Sequence, residues 1–296
     1  MTKEPLKRAA GATAVMLALL AVTFVMVMPY LWMAVSAFKT NTYFYSHPTT
    51  LLFWADKDSQ GAASPAALRN VTLINFAEAL DPRTGRMGRY LFNSLFYATI
   101  VTIFQLFFNS LAAFAFARLK FKGRDAVFTL FLATMMLPGA VRLVPEYLVA
   151  VKLGLADSLP GVVLPNLAGV FGIFLLRQFF LNIPRDLEDA AAIDGAGVLG
   201  IYWRIILPLA KPALITLGIF VFMAEWNNFV WPLVILSDWD KYPVTVGISL
   251  FRDEGNIFWP KIFAASVMGS APLIALFLVA QKYIIGGIAL SGMKAQ

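Results

Sequence analysis

Apolar positions in this chain fall into long unbroken runs separated by short polar or basic stretches, rather than into the one-sided stripes of helices resting on a soluble core. Residues 9–38 carry no charge, and a bilayer core takes about 20 helical residues, so this run predicts a first spanning helix near 12–35. It lacks a small-residue cleavage pattern behind a short apolar core and reads as a retained anchor. Residues 90–117 predict a second span, with Asn93, Gln105 and Asn109 facing other helices. A third begins at Ala126 but is interrupted by Arg142, Pro145 and Glu146 before YLVAV resumes, which argues against a straight lipid-exposed helix. Residues 158–176 predict a fourth, where Pro160 and Pro165 shape the entry and Gly169 and Gly172 permit close helix contact. Residues 212–237, with Glu225 as their one ionisable group, and residues 262–281, with none, complete six spans. The expected fold class is all-α: a polytopic membrane protein with six transmembrane helices and a cytoplasmic coupling hairpin. Residues 12–286 form its membrane domain, between an N-terminal segment 1–11 and a tail 287–296.

Composition agrees. Of 296 residues, 59% are hydrophobic and 14% charged, more apolar surface than one soluble domain of this size encloses. The absence of cysteine removes disulfides, thiol nucleophiles and cysteine metal sites, and the single histidine, His47, makes no metal cluster. The net charge of +7 is scattered between apolar runs, which points to anionic lipid headgroups and away from nucleic acid. Three basic clusters, Lys3, Lys7 and Arg8; Arg118, Lys120, Lys122 and Arg124; and Lys282 with Lys294, mark one face as cytoplasmic and put both termini there. The loop of about 36–89 is then external, although it holds six basic residues and four acids. Within it, residues 54–70 read as an exposed excursion and VTLINFAEAL as a short amphipathic helix.

Between the fourth and fifth spans, about 182–211, lies IPRDLEDAAAIDGAGVLGIYWRIILPLAKP. Asp186, Glu188 and Asp189 put negative charge at the positive end of a helix, and three alanines continue it without bulk. Leu187, Ala190 or Ala191, and Asp194 share one side, where a partner can approach the backbone closely. Gly195 and Gly197 permit a turn, and a second short helix of about 198–207 carries Ile201 and Ile205 on an apolar stripe before Pro208 stops or redirects it. Taken by itself, Asp194 with its glycines is equally a local turn.

This stretch resembles the membrane permease subunits of bacterial binding-protein-dependent ABC importers of the carbohydrate type. The family signature of Glu-Ala-Ala, three residues, Gly, nine residues, Ile, one residue and Leu-Pro is matched at Ala190, Ala191, Gly195, Ile205, Leu207 and Pro208. Asp189 replaces the glutamate, keeping the charge on a shorter side chain, so its contact is either weakened or passed to Glu188. Asp194-Gly195-Ala196 matches the fuller carbohydrate form, and AAFAFARLKFKGRD, FGIFLLRQFFLNIP and WNNFVWPL are further similar stretches. The resemblance implies a subunit of the bacterial inner membrane whose hairpin fits a cleft on an ATPase subunit. It also implies a homologous permease partner, two ATP-binding subunits that hold ATP and magnesium, and an extracytoplasmic solute-binding protein that delivers a sugar or sugar-like solute.

No Gly-x-x-x-x-Gly-Lys-[Ser/Thr] loop occurs, so the chain is expected to be no enzyme by itself and to bind no cofactor. Candidate solute-path residues are Asn93, Gln105, Asn109, Asn166, Glu225, Trp226, Asn227 and Asn228, whose amides and rings suit a hydroxyl-rich solute. Interhelix hydrogen bonding is an equal reading for each, and Trp226, Trp231 and Trp239 also fit an aromatic belt. Arg142, Glu146 and Arg177 are further ionisable groups at or near membrane depth, with Arg142 and Glu146 spaced to pair if helical. In the maltose system the paired permease holds the principal membrane sugar site, which implies that this homologue need not grip solute strongly. The rival readings are a secondary transporter or a membrane structural or receptor-interaction subunit, which an adjacent ATPase gene would separate from an importer.

Overall fold

The computed structural model describes residues 4–51, 71–253 and 256–292. The excursion at 54–70 and the end of the basic tail lie outside them, as do the side chains of Lys7, Arg8 and Lys282. In chain order the helices are α1 (Glu4–Ser36), α2 (Asn41–Ser46), α3 (Ile74–Leu80), α4 (Met87–Arg118), α5 (Arg124–Thr134), α6 (Gly139–Lys152), α7 (Leu159–Val163) and α8 (Val170–Leu181). There follow α9 (Asp186–Ile193), α10 (Val198–Ile201), α11 (Leu207–Leu209), α12 (Lys211–Trp226), α13 (Val230–Ile235), α14 (Val244–Ser249) and α15 (Trp259–Gly292). Two-residue strands at Arg252–Asp253 and Asn256–Ile257 make a small antiparallel pair.

The all-α polytopic class holds. Four helices are long and apolar enough to cross a bilayer, Gly11–Ser36, Met87–Arg118, Leu159–Leu181 and Trp259–Gln281, and two bent pairs raise the number to as many as six. The third span, broken in sequence by Arg142 and Pro145, is bent by 100° between α5 and α6. The fourth is no simple helix over 158–176: a 3-10 turn at Leu164–Asn166 and an extended Gly169 interrupt it, and its regular part runs on to Leu181. Pro165 removes a donor where the turn forms, which explains the break. The fifth ends as α12 at Trp226 and resumes as α13 only at Val230, so 212–237 is two helices.

Two compact units divide the chain. One comprises Met1–Met87 with Leu250–Ser270. Its core is aromatic: Phe44 and Phe263 meet edge to face with centroids 5.6 Å apart, and Trp32 packs on Phe263 at 5.2 Å. The amphipathic helix expected from VTLINFAEAL is α3, and it rests on this core through Phe76, which lies 4.9 Å from Phe38. Lys39 is fully buried, and its ammonium donates to the carbonyls of Thr50 at 2.6 Å and His47 at 3.3 Å. Desolvation lowers its pKa below the ordinary lysine value. Residues 11–27 of α1 are all exposed within the chain, as befits a surface whose solvent is hydrocarbon.

The second unit, Gly88–Ser249 with Ala271–Gln296, is organised around α4. Phe116 on α4 meets Phe128 at 5.4 Å and Phe131 at 5.8 Å on α5, and Phe114 meets Tyr202 at 5.2 Å. Leu176, Phe180, Ile206 and Leu217 close the core without solvent exposure. Trp226 and Trp231 are buried in the chain, and of the expected belt only Trp239 is exposed.

Candidate functional site

The region 182–211 is a helical hairpin. Its first arm, α9, carries Asp186, Glu188 and Asp189 in its first turn. It ends where the N–H of Gly195 donates to the Ala192 carbonyl at 3.0 Å and that of Ala196 to the Ala191 carbonyl at 2.9 Å. This paired closure requires a left-handed residue, and Gly195 has φ of +86°. Asp189, Ala190, Asp194, Gly195 and Pro208 are exposed, while Ala191, Ala196, Ile205 and Leu207 are half-buried. Around them stand apolar side chains that the chain does not cover: Ile193, 87% exposed, with Leu199, Val198 and Trp203.

The second arm corrects two expectations. Pro208 does not stop it: helical structure runs from Val198 to Leu209 through a π-helical turn at Tyr202–Ile206, and the redirection comes at Ala210, where the arm meets α12 at 76°. Proline at 208 lacks the N–H that an α-helix directs at the Arg204 carbonyl, and the wider turn absorbs that loss. The fully buried pair is Tyr202 and Ile206, one position on from the expected Ile201 and Ile205, which are half-buried. Tyr202 shares a hydrogen bond of 2.8 Å with Ser110 of α4.

Sequence reasoning missed Arg118 as part of this site. It counted as one charge in a cytoplasmic cluster, yet it is buried. Its Nε lies 2.9 Å from Oε1 of Glu188, and its Nη2 donates to the Ile183 carbonyl at 2.7 Å. Glu188 therefore has an internal partner, whereas Asp189 faces outward. Arg177 also belongs to the packing at this end, stacked 4.2 Å over the Phe128 ring and donating to the Phe116 carbonyl at 3.3 Å. The signal available in sequence was an arginine closing an apolar helix before a basic loop, which does not reveal its partner.

A cavity of about 1070 Å³ gathers Gln105, Asn166, Glu225 and Asn228, with Arg142, Glu146, Phe171 and Phe220. Asn228 donates to the Glu225 carboxylate at 3.4 Å. Arg142 and Glu146 both face this space and form no ion pair with each other among the described residues. The other four candidates lie outside its lining. Asn93 donates to the carbonyls of Asp240 at 2.8 Å and Tyr242 at 3.0 Å, and Asn227 caps its own helix at the Met223 carbonyl. Trp226 stacks on Phe222 at 5.8 Å. Asn109 is fully buried, accepts from the Gly169 N–H at 2.9 Å and donates to the Gln105 side chain at 3.3 Å, while Gln105 donates to the Asn166 carbonyl at 2.8 Å. These amides satisfy backbone that the broken fourth span leaves open, the interhelix reading of the same residues.

At the far end of α4, Asp157 accepts from the N–H groups of Ser237 and Asp238, each at 3.0 Å, and pairs with Lys241 at 3.0 Å. The two amides and the ammonium hold its pKa down to about 2.

An open cavity with amide, carboxylate and guanidinium groups among its lining, and an uncovered hairpin at one end of α4, fit a multi-pass helical subunit of a membrane transport machine. This chain belongs to the binding-protein-dependent transport system inner membrane components, whose family model matches residues 105–285. It is 32% identical to an arabinooligosaccharides transport system permease protein of Halalkalibacterium halodurans, over 92% of this chain and 93% of that one. It is equally 32% identical to a trehalose/maltose transport system permease protein of Thermococcus litoralis, over 90% and 91%. An sn-glycerol-3-phosphate transport system permease protein of Yersinia enterocolitica matches at 32% over 86% and 87%. The fold is that of a bacterial ABC transporter involved in alginate import, with a TM-score of 0.77 and 22% identity over 96% of this chain and 99% of that one. The resemblance read from the hairpin signature is thus borne out. The protein is a multi-pass inner-membrane permease component of an ABC importer, not catalytic itself, in a family that leaves ATP hydrolysis to separate subunits.

Proposed function

We propose that this chain forms half of a transmembrane path for a sugar or sugar-like solute, with a homologous permease supplying the other half. Two ATP- and magnesium-binding subunits drive it, and an extracytoplasmic solute-binding protein loads it. The observation that carries the reading is the hairpin of 182–211, which leaves Ile193, Val198 and Leu199 uncovered around a close-approach surface of small residues. An apolar side chain this exposed outside the bilayer calls for a protein partner. Asp189, Ala190, Ala191, Asp194, Gly195, Ala196, Ile205, Leu207 and Pro208 form the docking unit, which faces the cytoplasm together with both termini. Glu188 holds that unit to α4.

Solute passes through the cavity lined by Gln105, Asn166, Glu225 and Asn228, where carboxylate and amide groups hydrogen-bond hydroxyls and the exposed Phe171 and Phe220 rings meet apolar sugar faces. Three relatives named for arabinooligosaccharide, trehalose/maltose and sn-glycerol-3-phosphate transport support a polyhydroxylated solute. The test is Gly195→Val in the complete reconstituted importer. A β-branched residue at φ of +86° costs about 1–2 kcal/mol of hairpin geometry. Receptor-stimulated uptake of the solutes in those three classes is expected to fall about tenfold, while membrane insertion is retained. Unchanged uptake refutes the docking role.

A further inference from the structure

The hairpin and the cavity are separate places, and the proposed function requires movement at one to be felt at the other. α8 and α12, which flank the hairpin in sequence, both line the cavity, and α4 touches hairpin and cavity from a separate part of the chain. Its last residue, Arg118, uses one guanidinium to hold Glu188 of α9 at 2.9 Å and the Ile183 carbonyl ahead of α9 at 2.7 Å. About two and a half to three and a half helical turns further into α4, Asn109 and Gln105 grip Gly169 and Asn166, and Gln105, Asn166 and Gly169 all line the cavity. We propose that the Arg118–Glu188 pair is the positioning link through which nucleotide-driven movement of the hairpin reaches the cavity by way of α4. The inference rests on the docking role given to the hairpin above.

The geometry separates two carboxylates that are neighbours in sequence. The Glu188 side chain is 16% exposed and the Arg118 side chain 3%, so this pair is turned into the protein and is withheld from a docking partner. Asp189 is exposed and faces outward. A buried ion pair is a poor source of net stability, because desolvation offsets most of the attraction, but it resists separation, since pulling it apart leaves each charge buried without its counter-ion. The second arm has its own tie to α4 through Tyr202 and Ser110, so α4 holds both arms, but only the first tie is charged at both ends. Displacement of α9 either carries Arg118 with it or leaves two buried charges apart, and the second outcome is the costly one.

The chain has no cysteine, so Ala168→Cys places a single thiol at an exposed position in the cavity wall. The complete importer carrying it is treated with a water-soluble maleimide, with or without ATP and vanadate, and modification at residue 168 is followed by mass spectrometry. In this background nucleotide trapping is expected to change the labelling rate about tenfold. With Glu188→Gln or Arg118→Gln the change should shrink to about twofold or less, although the ATPase subunits still copurify and hydrolyse ATP. The exchanged pair Arg118→Glu with Glu188→Arg should restore it. A full nucleotide response in Glu188→Gln, or a loss that the exchange does not repair, overturns the link while leaving docking intact. Failure of the ATPase subunits to copurify with the Ala168→Cys importer overturns the docking reading itself, and this inference with it.

Discussion

The two ends of α4 are finished in opposite ways. At the Asn93 end every strong group is closed within the chain: Asn93 donates to two loop carbonyls, Ser94 accepts from the Val244 N–H at 2.8 Å, and Asp157 accepts from two amides and pairs with Lys241. At the Arg118 end, roughly 37 Å along the helix, the buried Arg118–Glu188 ion pair sits behind the hairpin while its face keeps Ile193, Leu199 and Trp203 in the open. One end is closed within the chain, and under the docking role proposed above the other is completed by a partner. A single chain would then separate stability from assembly by place.

That separation is open to direct attack. The largest effect is expected from Ile193→Asp, which puts a charge into the proposed docking face: about 2 kcal/mol, or roughly thirtyfold, in affinity for the ATPase subunits by copurification or titration, with the melting temperature unchanged. Equal losses of assembly and stability would break the comparison. Next is Asn93→Leu, which leaves the Tyr242 carbonyl without the Asn93 donor and the Asp240 carbonyl with Arg89 Nε at 3.2 Å alone, and should cost about 1.5 kcal/mol in thermal stability while leaving assembly intact. The smallest is Asp157→Asn. The folded-state pKa of about 2 lies below the ordinary 3.8, so the carboxylate stabilises the fold above about pH 4 and loses that contribution as pH falls toward 2. Melts between pH 5 and 2 should fall less steeply in the variant than in the parent, and parallel slopes would remove Asp157 from the closure.

What was legible in the sequence followed from length and period. The uncharged runs became α1, α4 and α15, and the small-residue signature became a hairpin with its glycine in the left-handed region where a turn demands one. The broken spans were legible as irregular, but not as to where they break, because the break at Leu164–Gly169 is stabilised by amides some sixty positions earlier in the chain. The same distance hid the roles of single residues. Asn109 and Gln105 are identical as amides in sequence, yet only Gln105 reaches the cavity wall. Arg118 looked like a surface charge because its partner Glu188 lies on another element. Composition reports that a polar residue inside an apolar run needs a partner, while the fold decides whether that partner is backbone, solute or another subunit.

The Asn109 amide also constrains descent. A β-carbon at Gly172 would run into the Asn109 Nδ2, and the Gly169 N–H relies on the Oδ1 of the same side chain. A lineage that enlarges residue 172 needs the residue 109 side chain to move or shorten, and either change takes the acceptor from the Gly169 N–H unless the turn at 169 is rebuilt as well. These three positions are therefore expected to change together, so that mutational drift at any one of them should leave its trace in the other two.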